Sequence, residues 1–125
     1  MANPLLFDQY KDRLNKVSTP REVEVIITEI GDNRQLGFEN KLILIENAKT
    51  LLASLKRRDA SLEVISQEVR TVISTADLTK LLNMIKSAVS THDKAASIMM
   101  VRRTRFPDPI KDRLIVIIKQ RKALS

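Results

Sequence analysis

Residues 38–58, FENKLILIENAKTLLASLKRR, decide the fold class. Phe38, Leu42, Ile45, Ala48, Leu52 and Leu55 recur at spacings of three and four over about six turns, with no proline or glycine between them. That period belongs to a helix. Lys56, Arg57 and Arg58 close the segment, where the helix dipole favours positive charge by about 0.3 to 1 kcal/mol each. Asp59 then offers a cap for a separate helix with Leu62, Ile65, Val69 and Val72 on its buried face.

The same reading extends in both directions. Toward the amino terminus, Leu6, Phe7, Tyr10, Leu14 and Val17 form one helical stripe. Thr19, Pro20 and Glu22 make a capping box for a second helix that buries Val23, Ile26, Ile27 and Ile30, and Gly31 stands where a left-handed terminating residue is wanted. Toward the carboxy terminus, Ser74 with Asp77 opens a helix carrying Leu78, Leu81, Leu82, Ile85 and Val89. Ser90 with Asp93 opens another as far as about Thr104, either separate from its predecessor or continuous with it. Pro107 and Pro109 impose a break, after which a last helix runs from Pro109 to about Ala123.

These elements predict an all-α protein: one compact helical bundle over residues 1–125, of five to seven helices, with a basic C-terminal third at about 102–125. Its expected core contains Phe38, Leu42, Ile45, Leu52, Ile65, Val69, Leu82, Ile85, Leu114 and Ile118. Residues 114–118 are apolar all round, which implies either a central position or a face for homo-oligomer formation through the last helix. Lys-Asp-Arg-Leu occurs at 11–14 and again at 111–114, but four residues without matching context do not establish a repeat.

Charge narrows the function. The chain holds 22 Lys and Arg against 15 Asp and Glu, a formal +7. Residues 1–69 carry 10 basic and 11 acidic side chains, residues 70–125 carry 12 and 4, so the excess sits entirely in the second part. Such asymmetry points to a polyanionic partner.

Several chemistries lack their apparatus. There is no cysteine, so disulfides, thiolate metal sites and a cysteine nucleophile are excluded. Two glycines cannot supply a phosphate-cradling loop. The single histidine, His92, adjoins Ser90 and Asp93 at a helix start, where capping explains both neighbours and the geometry of a triad is not met. No enzyme, cofactor or metal is expected. The longest apolar run, residues 114–118, is far below the roughly 20 residues of a membrane span, and the first residues lack a signal-peptide pattern, so a cytoplasmic or nucleoplasmic protein is expected.

The candidate contact residues are Arg102, Arg103 and Arg105 before the proline break, with Lys119, Arg121 and Lys122 near the end. If the last two helices form a hairpin, the two groups define an elongated stripe, which suits the backbone of duplex or structured nucleic acid. Phe7, Tyr10, Phe38 and Phe106 are too few and too apolar in context to stack single-stranded bases. The expected activity is therefore non-catalytic binding to nucleic acid or to a machine that processes it. The alternative is a protein-interaction module (adaptor, inhibitor or assembly subunit) docking on an acidic protein surface. Met84, Met99 and Met100 are expected to fill core space, the other reading being a methionine-lined docking surface beside the arginines.

Overall fold

A computed structural model describes residues 4–122 of the chain, which form six helices and, among the described residues, no strand. They are α1 (Pro4–Lys16), α2 (Pro20–Asp32), α3 (Phe38–Val69), α4 (Thr75–Ser87), α5 (Thr91–Arg103) and α6 (Asp108–Gln120). The all-helical class and the helix number match the sequence reading. The expected end of the last helix at Ala123 lies outside the described residues.

Three starts form as the caps require. Thr19, Ser74 and Ser90, each with extended backbone, accept hydrogen bonds through their hydroxyls from the amides of Glu22, Asp77 and Asp93. Because Ser90 opens its own helix after Ala88 has closed the previous one, α4 and α5 are separate.

Val72 is not on a buried helix face: it is 52% exposed and lies past the end of α3. Three further expectations need correction. Asp59 does not start a helix: α3 continues through it for 32 residues, and its carboxylate instead accepts from Arg58 Nε and Nη2 at 3.1 and 3.0 Å. Leu44, Ala48, Leu51, Leu55, Arg58, Leu62, Ile65 and Val69 of α3 are buried, an unbroken four-three seam that crosses the expected break, with Ser66 buried beside it. Phe38 and Leu42 are accordingly not core residues: they are 75% and 49% exposed, because residues 42–45 are apolar on every side and two different stripes fit them. The stripe that buries is the one that continues past Arg58. Gly31 does not end α2 in a left-handed conformation. The helix runs on to Asp32 and stops at Asn33, whose amide donates to Ile30 O, whose Oδ1 accepts from the Gln35 amide and whose Nδ2 donates to the Tyr10 hydroxyl at 3.0 Å. Since nothing lies within 4 Å of a Cβ built at Gly31, Gly31→Ala is expected to stabilise the protein by about 0.5 to 1 kcal/mol, read as a rise in the denaturant midpoint.

Among the described residues, 4–56 and 57–122 make two compact units. In the first, Tyr10, Leu14 and Val17 of the α1 region, Val23, Ile26 and Ile30 of α2, Leu36, and Leu44 to Leu55 on α3 share one core. In the second, Leu62, Ile65 and Val69 of α3 pack with Leu81 and Ile85 of α4, Val101 of α5, Phe106, and Leu114, Ile117 and Ile118 of α6. Ile45, Leu52 and Leu82 of the expected core are partly buried at the margins.

The two units contain helix pairs of similar sequence. Residues 23–30 of α2 read VEVIITEI and residues 62–69 of α3 read LEVISQEV; residues 8–14 read DQYKDRL and residues 108–114 read DPIKDRL. In the first unit Leu14 is fully buried and Arg13 makes a two-pronged ion pair with Glu29, at 2.5 and 3.2 Å. In the second, Leu114 is fully buried and Arg113 pairs with Glu68 at 2.6 Å. Each pair frames an open groove, of about 570 Å³ and about 460 Å³, floored by Val17 and Ile26 in one unit and by Ile117 and Ile65 in the other. The pairing with Arg13 holds the Glu29 carboxyl below its ordinary range and raises the Arg13 guanidinium. The chain order of the pair is reversed between the units: α1 precedes α2, whereas α6 follows α3.

Candidate functional site

The charge asymmetry coincides with the division into units. Residues 1–56 hold 8 basic and 8 acidic side chains, and residues 57–123 hold 14 and 7, so the whole excess belongs to the second unit. Within it, α5 and α6 form the expected hairpin through the short connection 104–107, and they pack on each other more extensively than any other pair of helices.

Of the six candidate residues, Arg102, Arg103, Arg105, Lys119 and Lys122 are exposed and make no ion pair among the described residues. Arg121 is different. It is 4% exposed, and burial, followed by the charge of Arg58, lowers its guanidinium to about 10. Arg58 is itself 7% exposed, with Nη1 donating to Lys86 O at 3.2 Å and Asp59 holding its other edge. Arg121 therefore belongs to the interior of the second unit. A position just beyond the last helix, next to Lys122 and two residues after Lys119, carries no signal in the sequence that would separate it from those bases. If the basic surface meets an anionic partner, Arg121→Gln is expected to leave the affinity within about two-fold of the parent, whereas Arg103→Gln lowers it several-fold, both read by titration at fixed salt.

Two further bases are occupied by structure. Lys111 donates to Arg102 O at 3.1 Å, closing the carboxy end of α5, and Arg113 is held by Glu68. Thr104 completes that end, its Oγ1 donating to Val101 O. With the last carbonyls of α5 satisfied in this way, Arg102 and Arg103 are left to face solvent. Between the arginine cluster and Lys119 the exposed residues of α6 include Asp108 and Asp112, over a rise of about 17 Å from Asp108 to Lys119. The bases form two groups with carboxylates between them. They do not form a continuous stripe.

The methionines are not core filling. Met84, Met99 and Met100 are 38%, 54% and 43% exposed, and the last two lie within one turn of Arg102 and Arg103. The solvent side of α5 carries Ala95, Ala96, Met99 and Met100, while Ser97 and Val101 face inward. Sequence periodicity misleads here because α5 is apolar on both sides, so its spacing does not say which side is covered.

On α6 the apolar run 114–118 divides: Leu114, Ile117 and Ile118 are buried, Ile115 is partly buried, and Val116 is exposed at the groove beside Val64. No helix of the described residues is long and apolar enough to cross a membrane, and no cluster of three metal-ligating side chains occurs among them. Neither a family model, nor a curated protein, nor a solved structure matches the chain.

Proposed function

We propose that the chain is a non-catalytic interaction module that docks on an acidic protein partner through the basic surface of its second unit. The observation that carries this reading is the exposure of Met99 and Met100 beside Arg102, Arg103 and Arg105. An apolar patch edged by unpaired arginine charge has the composition of a protein-docking centre, where desolvated apolar contacts supply affinity and the rim charges supply steering and register. The assignment as non-catalytic is supported by Ser90, the serine nearest His92 in the chain, whose hydroxyl is engaged as the cap of α5 and accepts from the Asp93 amide.

Duplex or structured nucleic acid is the second reading, favoured by the confinement of the net charge to the second unit. Salt-dependent titration with labelled duplex DNA separates the two. The proposal expects weak binding, lost in moderate salt. Contradiction would be tight binding whose logarithm falls with the logarithm of salt at a slope of about −4 to −5, with Lys119→Gln and Lys122→Gln each removing about one unit, as five phosphate contacts require.

A further inference from the structure

We infer that the solvent face of α5 is a seat for an amphipathic, acidic helix of a partner protein, an inference that rests on the acidic-partner reading above and specifies its site and ligand. At 100° per residue, Met99, His92 and Arg103 lie at the centre of the exposed arc, Ala95 and Ala96 flank them, and Met100 and Arg102 lie toward its two edges. The alanines keep the surface low ahead of the methionines, so a facing helix can approach closely and be gripped by two long, polarizable side chains that adjust to its shape.

Charge selects the occupant. Arg102 and Arg103 close the face at its carboxy end and Arg105 follows in the connection, all exposed. Lys94 borders the buried side of the helix and is half-buried. The one carboxylate on α5, Asp93, lies in its first turn, at the end opposite the arginines, with its amide already bonded to Ser90 Oγ. The nearest acid after the arginines in the chain is Asp108, the first residue of α6. A partner helix that places two or three apolar side chains at three-four spacing over Ala95, Ala96 and Met99, followed within a turn by Asp or Glu, meets apolar surface with apolar surface and cation with anion. A basic or neutral helix would leave three arginine charges partly desolvated and unpaired, which counts against it.

A four-turn synthetic peptide with leucines at three-four spacing and a glutamate-rich final turn is the probe, added to the full chain labelled with ¹³C at its methionine methyls. Saturable shifts of the Met99 and Met100 signals are expected, with about ten-fold weaker binding after Met99→Gln with Met100→Gln, read in that variant from the fluorescence anisotropy of the labelled peptide. Arg102→Glu with Arg103→Glu is expected to abolish binding of this peptide and to confer binding of its lysine-for-glutamate counterpart. All four substitutions are at exposed positions, and an unchanged far-ultraviolet spectrum checks the fold. Binding that depends on Arg102 and Arg103 but ignores the methionine substitutions overturns this inference and leaves the acidic-partner reading standing. Shifts of the methionine signals with duplex DNA and none with the peptide overturn both.

Discussion

Ala60→Pro is expected to destabilise the protein by about 3 kcal/mol or more, a large share of the stability of a domain this size. The result separates two accounts of residues 38–69. Were Asp59 the cap of a new helix, Ala60 would be its first residue, a position where proline is favoured. In a continuous α3, proline at this exposed interior position removes the amide's bond to Lys56 O and drives its ring against that carbonyl. Chemical denaturation of the variant measures the difference, and a midpoint equal to or above the parent's would place a helix boundary at Asp59.

Leu14→Ala and Leu114→Ala are each expected to cost about 2 to 5 kcal/mol, because both leucines are fully buried in close-packed cores and neither cavity can collapse without moving a helix. The comparison between them tests the internal repeat. Each leucine follows an arginine tied to a glutamate on the facing helix, Arg13 to Glu29 and Arg113 to Glu68. Calorimetry on the two variants is expected to show losses of similar size. A loss below about 1 kcal/mol at Leu114, with the full loss at Leu14, would show that α6 is peripheral to its core and that the resemblance of the two helix pairs is superficial.

Helix class, the caps at Thr19, Ser74 and Ser90, and the break at Pro107 were all legible in the sequence, because each depends on a few adjacent residues with strong local chemistry. The continuity of α3 through Asp59 was not. An aspartate caps only where the backbone ahead of it leaves the helical region, and in α3 the burial of Leu55 on one side and Leu62 on the other keeps the backbone helical. The repeated helix pair was hidden for another reason: its two sequence matches lie 39 and 100 residues apart and their order along the chain is reversed, so no single period relates them. Only the ion pairs Arg13–Glu29 and Arg113–Glu68 supply the context that the recurrence of Lys-Asp-Arg-Leu lacks.

At the candidate site, composition located the charge but could not sort it. Eight bases between Arg102 and Lys122 look alike in sequence; the fold uses Lys111 to close α5, Arg113 to bind Glu68 and Arg121 as interior, and leaves five outside. The expected stripe requires Arg102, Arg103, Arg105, Lys119, Arg121 and Lys122 to lie along one edge of the hairpin. Met99 and Met100 were read as core because methionine fills gaps well, a property that serves equally on a surface that must adapt to a partner.

The most direct test of the docking account is photo-crosslinking in nuclease-treated lysate, with a photoreactive amino acid at the position of Ala96 on the α5 face and, in a second protein, at the position of Gln120 on α6. The account predicts adducts from position 96 with proteins whose crosslinked peptides are rich in Asp, Glu and leucine-like residues, unchanged by nuclease and lost on reversing Arg102, Arg103 and Arg105. Adducts that form only without nuclease, or that arise from position 120 and not from position 96, would contradict it.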